Sequence, residues 1–140
     1  MKTSSNPHHD AEARRRIFVI DSDKASNEAL ESILADDNET FVMPNVVSAL
    51  DWACHWPPQL ILLGTGVIAT EGAGTVSRFK KRVPGVRIMI VCDRLDDESV
   101  KQAQMMGAES ALLRPLMQDT VKDKLRMLFS RRPSRVPAFS

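Results

Sequence analysis

Residues 58–64 read Pro58-Gln59-Leu60-Ile61-Leu62-Leu63-Gly64, and this run decides the fold. Its four consecutive aliphatic residues leave no polar face. A strand with one wet side alternates, whereas an unbroken apolar run suits a strand covered on both sides. Such strands belong to parallel sheets with helices packed above and below. Pro57 and Pro58 close the segment before it, and Gly64 opens a glycine-rich stretch after it, Gly64 to Gly74.

The pattern repeats outward in both directions. Ile17–Ile20 is a short β-branched run and reads as the first strand. Lys24–Leu34 places Ala29, Leu30, Ile33 and Leu34 at helical spacing. Phe41–Met43 reads as a short strand near an edge. Val46–Cys54 reads as a second helix with Val47, Leu50 and Cys54 on one face. Downstream, a third helix is expected at about 75–82, and Pro84-Gly85 turns the chain into a strand at Val86–Val91. Asp96–Met106 follows as a helix with acids in its first turn, where the dipole favours them, and Gly107 as a left-handed cap. Ala111–Leu113 is the fifth strand, and Asp119–Phe129 the last helix, with Val121, Leu125 and Leu128 inward. Strands alternating with helices at this spacing predict one doubly wound α/β domain with right-handed crossovers. Ligands in such sheets gather at the carboxyl ends of the strands. Here those ends are Asp21-Ser22-Asp23, Gly64-Thr65-Gly66, Cys92-Asp93 and Arg114-Pro115.

Bulk properties narrow the function. A length of 140 residues suits one domain with one core. The net charge of +1 gives no global field toward nucleic acid or an anionic membrane. Cys54 and Cys92 form no zinc or CxxC pattern and suit a reducing compartment. No apolar run reaches the ~20 residues of a membrane span, and residues 1–15 lack a signal-like apolar core. The expected location is the cytoplasm. Residues 1–15, with His8 and His9, read as a disordered arm, 16–130 as the folded domain, and 131–140 as a disordered tail. Arg14, Arg15 and Arg16 read as a solubilising edge.

Three stretches together resemble bacterial response-regulator receiver domains. Ile17-Phe18-Val19-Ile20-Asp21-Ser22-Asp23 is similar to the opening strand, and Pro58 to Gly64 to the third. Met106-Gly107-Ala108 with Leu112-Leu113-Arg114-Pro115-Leu116 is similar to the run into strand five and its Lys-Pro turn. The likeness spans roughly Arg16 to Phe129. It implies a flavodoxin-like (CheY-like) five-stranded parallel sheet in the order 2-1-3-4-5, with five helices. It also implies a chemistry of phosphoryl transfer to an aspartate after strand three, with magnesium held by carboxylates after strand one.

Carried over position by position, the resemblance leaves little of that chemistry. The acceptor position is Gly64. The paired acids are Asp21 and Ser22, with Asp23 following. The hydroxyl position is Cys92, the lysine is Arg114, and the aromatic switch is Ala111. Ile68 stands where the family has a proline. Thr65 is the nearest hydroxyl, but it points to the other side of the strand. Asp21 and Asp23 allow either a weak cation site or a static ion pair of Asp21 with Arg114. A hard divalent ion needs several oxygens, which favours the ion pair. Cys92 reads as a small buried residue filling the hydroxyl slot rather than as a redox thiol.

Other signals point to contact rather than catalysis. The glycines from Gly64 to Gly74 match no phosphate-binding loop and read as a reshaped, flexible segment. Trp52 and Trp56 lie one turn apart; Trp52 is expected in the core and Trp56 at the surface. The resemblance places the docking face on the penultimate helix, strand five and the last helix, presenting Val100, Gln104, Ala111, Lys122 and Arg126. No histidine follows His55, and no base–nucleophile pair is in view at the sheet top, so the chain is expected not to be an enzyme and to need no cofactor or metal. The expected role is phosphorylation-independent protein contact in bacterial signalling or gene regulation. The partner would be a signalling kinase, a transcription regulator or a second copy. Direct nucleic-acid and membrane binding are not expected. A second reading is a sensor of a small anion that uses Arg114 and backbone amides.

Overall fold

The structure is a computed structural model that describes residues 14–131, so most of the expected arm, with His8 and His9, and most of the tail lie outside the described residues. In chain order the elements are β1 (Arg16–Ile20), α1 (Lys24–Leu34), β2 (Glu39–Val42), α2 (Val46–His55), β3 (Leu60–Gly64) and α3 (Thr65–Glu71). Then follow α4 (Gly74–Arg82), β4 (Arg87–Cys92), α5 (Glu98–Met105), β5 (Ser110–Leu113) and α6 (Gln118–Phe129). All strands are parallel, in the order β2-β1-β3-β4-β5. This is the doubly wound 2-1-3-4-5 sheet of the CheY-like fold.

Alternate residues along the central strands divide between two cores. Phe18, Ile20, Ile61, Leu63, Ile88 and Ile90 pack with α2, α4 and α5. Ile17, Val19, Leu60, Leu62, Met89 and Val91 pack with α1 and α6. Leu60 to Leu63 are wholly buried. Each such side chain contributes roughly 1.5–3 kcal/mol, which is why β3 tolerates no polar residue on either face. Side-chain caps fix the helix starts. Asn45 accepts from the Ser48 N–H at 2.8 Å to begin α2, and Asp97 from the Ser99 N–H at 2.8 Å to begin α5. Gly107, expected as a left-handed cap, has φ +119° directly after α5.

Three expectations are corrected. Six helices, not five, occur among the described residues, because the glycine-rich stretch contains α3. A helix starting at Thr65 takes its first backbone bond from the N–H of residue 68 to the Gly64 carbonyl. Ile68 supplies that N–H where a proline has none, and its buried side chain ties the segment to the core. The inward face of α2 is Val46, Ala49, Leu50 and Ala53, so Val47 and Cys54 are exposed and only Leu50 of the expected face is buried. With that rotation Trp52 faces solvent, 44% exposed, beside Trp56 at 48%.

Candidate functional site

Register assembles the site. Ile20 pairs with Leu63, so Asp21 and Gly64 leave the sheet side by side. Gly64 pairs with Val91 and Cys92 with Leu113, which sets Cys92 and Arg114 next in line. The Arg114 N–H closes the row by donating to the Cys92 carbonyl at 2.8 Å.

At the centre is an ion pair. Arg114 Nη2 donates to Asp21 Oδ2 at 2.8 Å; the Asp21 side chain is 1% exposed and that of Arg114 17%. Arg114 Nε donates to Ser26 Oγ at 2.7 Å and lies 3.5 Å from Asp23 Oδ2, while Nη1 lies 3.2 Å from Asp93 Oδ1. Burial works against the guanidinium charge. The hydrogen bonds and charges of Asp21 and Asp93 outweigh it and hold its pKa above the ordinary value. Asp21 Oδ1 also accepts from the Asp23 N–H at 3.0 Å, and the Asp21 carbonyl accepts from Asn27 Nδ2 at 2.9 Å.

Asp23 does double duty. It caps α1 through the Ser26 N–H and accepts the Ser26 hydroxyl at 2.6 Å. That hydroxyl bond is the main force holding its carboxyl below the usual range, with backbone bonds and the Arg114 charge adding to it against a desolvation cost.

Gly64 is required by close approach. A Cβ there would overlap the Asp21 carboxylate, and one at Gly66 would overlap Ser22 Oγ. The volume beside Gly64, where an acceptor side chain would begin, is thus filled by Asp21 itself. Cys92 is fully buried, and burial pushes its thiol pKa up despite Arg114 nearby. Its Sγ sits 3.6 Å from the Leu112 carbonyl. The small-residue reading of Cys92 fits this environment, and a reactive thiolate does not.

The residues do not fit magnesium. Two of the carboxylates expected from the family pattern are absent, at Gly64 and Ser22, and Asp21 already faces Arg114. Among the described residues no group of acids, cysteines and histidines is arranged to hold a metal ion.

The structure places Asp21, Ser22, Asp23, Gly64, Cys92 and Arg114 at the carboxyl ends of the strands, and adds Ser26, Asn27 and Asp93 as partners that sequence reasoning did not assign. The signal for Ser26 was its place three residues after the cap Asp23. Asp93 needed the fold, because only β-strand register sets it facing Arg114.

The expected docking face is corrected in part, because Lys122 and Arg126 do not lie on it. Val100 of α5 and Ala111 of β5 are largely buried, yet both line the same hollow as Gln104. Lys122 and Arg126 lie on the other side of α6, in a groove shared with Arg15, Leu34 and Phe129, and Lys122 reaches Asp37 at 3.7 Å. Helix α6 turns Val121, Leu125 and Leu128 inward, which rotates Lys122 and Arg126 toward α1. The hollow at Gln104, of about 450 Å³, is also lined by Lys124, Met127 and Arg131, so three of the five expected residues meet on one face.

Fold and site define a doubly wound module of the receiver type, with Arg114 set among Asp21, Asp23 and Asp93 at the carboxyl ends of its strands. The model of the response regulator receiver domain matches residues 17–126, and the chain belongs to that family, which serves two-component signalling. A search of curated proteins gave no match. Among solved structures it is similar to a response regulator from Thermotoga maritima, with 15% identity, TM-score 0.75, and coverage of 84% of this chain and 99% of that one. It is also similar to the receiver domain of the sensor histidine kinase PA1611 from Pseudomonas aeruginosa, with magnesium coordinated in its active-site cleft. That match has 13% identity, TM-score 0.73, and covers 85% and 100%. NtrX from Brucella abortus in complex with ADP matches with 23% identity and TM-score 0.72 over 84% of this chain, which spans 26% of NtrX. At these identities the likeness establishes the fold. No helix among the described residues is long and apolar enough to cross a membrane.

Proposed function

We propose that this chain is a pseudo-receiver: a receiver-fold module that is not phosphorylated at the usual position and acts by protein–protein contact in bacterial signalling or transcriptional control. The observation that carries this reading is the Asp21–Arg114 pair at 2.8 Å, seated beside a glycine that has no acceptor side chain. A receiver shifts between two states, and phosphorylation biases that balance. Here the charge that would arrive as phosphate and metal is supplied internally by one guanidinium and three carboxylates. The input is replaced by a fixed network, and control passes to partner binding, abundance or self-association. The same reading makes the chain a cytoplasmic binding module rather than an enzyme, with a kinase, a transcription regulator or a second copy as its partner. His55, the last histidine, sits at the far end of α2 from the pocket, which supports a non-catalytic role.

The anion-sensor reading is less well supported. Arg114 already faces Asp21, Asp23 and Asp93. The cleft beside Asp21 and Gly66 holds about 160 Å³, against the roughly 300–1,000 Å³ of small-molecule sites.

The test is incubation of the purified chain with acetyl phosphate and Mg²⁺, read by intact mass. No added phosphoryl mass is expected, and a stable phosphoryl adduct overturns the reading.

A further inference from the structure

Strand β2 is an open edge of the sheet. The Glu39 N–H donates to the Arg15 carbonyl at 2.8 Å and the Met43 N–H to the Val19 carbonyl at 2.8 Å. Backbone groups alternate along a strand, so Glu39, Phe41 and Met43 bond toward β1 while Thr40 and Val42 direct their N–H and C=O outward. No backbone partner on that side occurs among the described residues.

An aromatic row runs from the core to this edge. Phe18 meets Phe41 edge-on at 6.3 Å, Phe41 lies 6.4 Å from Trp56, and Trp56 lies 5.2 Å from Trp52. A groove of about 370 Å³ follows the strand, lined by Glu31, Phe41, Val42, Pro44 and Trp52 among others. Natural edges are blunted by lysine, proline or a bulge. Glu39-Thr40-Phe41-Val42 has none of these within it, and its one charge is neutralised by Arg16 at 3.0 Å.

We infer that this edge pairs with the same edge of a second copy, β2 antiparallel to β2, about a two-fold axis through Phe41. The register is self-complementary. With Phe41 opposite Phe41, Thr40 of each copy falls opposite Val42 of the other. Those are the residues whose backbone groups point outward, so each of the two pairs exchanges both of its bonds. Glu39 falls opposite Met43, so no like charges meet in the ladder. The two aromatic rows join on the α2 side of the extended sheet.

The size of the patch sets the strength. The exposed parts of Val42, Trp52 and Trp56 amount to roughly 300 Å² per copy, against about 800 Å² per partner in a standard stable interface. The association is therefore weak and concentration-dependent, in keeping with a strand of four residues.

The experiment is sedimentation velocity of the full chain from low to high micromolar concentration, with tryptophan emission read in parallel. Trp52 and Trp56 are the only tryptophans of the chain and both flank the edge, so the entire indole signal reports on it. Dimer formation with a matching blue shift is expected. Val42→Pro removes an outward N–H and leaves the bonds to β1 intact, because proline is tolerated where an edge N–H faces solvent. It should stay monomeric with an unchanged circular dichroism spectrum, and Val42→Lys should do the same by placing a charge on the edge. A wild-type chain that stays monomeric throughout overturns the inference. So does a dimer that survives in a folded Val42 variant, or one that forms without an emission change. Phosphoryl transfer enters neither readout, so failure here leaves the pseudo-receiver reading untouched.

Discussion

The two ends of the sheet carry ionic clusters of opposite design. At the carboxyl end one cation, Arg114, stands among Asp21, Asp23 and Asp93. At the amino end one anion, Glu109, stands among Lys80 at 2.9 Å, Arg87 at 4.0 Å and the Ile88 N–H at 3.1 Å. The Arg87 guanidinium also donates to the carbonyls of Leu128 and Arg131, tying the end of α6 to the sheet. The Glu109 side chain is 4% exposed and that of Lys80 3%, whereas Asp23 and Asp93 in the upper cluster are open to water. The lower cluster thus locks the fold. Breaking such a buried pair leaves a charge without compensation. The upper cluster sits at the carboxyl ends of the strands; its centre, Asp21, is buried, but its rim of Asp23 and Asp93 is wet and adds little to stability.

Breaking the lower cluster should therefore have the largest effect. Glu109→Ala removes the anion that faces Lys80 and Arg87 in a buried setting and should cost about 3–5 kcal/mol in urea unfolding. An equal or smaller loss than for the upper-cluster variants would erase the contrast. Next comes Gly64→Asp, which returns the carboxyl that the family places after strand three. Its Cβ meets the Asp21 carboxylate, so overpacking should cost about 1–3 kcal/mol. Mass spectrometry after acetyl phosphate should still find no adduct, because Arg114 holds Asp21 and the metal seat is not rebuilt. A phosphorylated Gly64→Asp protein would show that the arginine clamp is permissive. Arg114→Met should cost a similar amount, about 1–3 kcal/mol, because the buried Asp21 loses its counter-charge and keeps its bond from the Asp23 N–H, while the rim carboxylates turn to water.

The smallest effect is a pH dependence. The folded-state pKa of Asp23 is depressed, first by the Ser26 hydroxyl. Its ionised form therefore adds stability that is fully present above the unfolded value, near pH 4. That contribution is lost as pH falls through the lower folded value. Asn also caps helices, so Asp23→Asn isolates the charge. Thermal melts should show the variant slightly less stable at neutral pH, with the gap closing on acidification. A gap that widens in acid would contradict the assignment.

Much of this was legible in residue order. The apolar run Leu60 to Leu63 required a doubly covered strand, and the alternation around it required the doubly wound sheet, since backbone groups and apolar side chains leave few other ways to be satisfied together. The glycine at the acceptor position, Gly64, followed from the resemblance, and the pairing of Asp21 with Arg114 from opposite charges placed at the same end of the sheet. Helix phase was less legible. Val47 and Cys54 looked inward and are exposed, Trp52 looked buried and faces solvent, and Lys122 and Arg126 looked to β5 but turn to α1.

By itself the sequence determined the order of the five strands, the family and the glycine at position 64, because these depend on residue type and spacing along the chain, while α3 was missed. Only the tertiary structure decided that Asp21 fills the space beside Gly64, that Asp93 and Ser26 complete the clamp, and that Glu109 meets Lys80 and Arg87. Those facts depend on strand register and helix rotation, where a shift of one residue, or a turn of one helix face, changes which side chains meet.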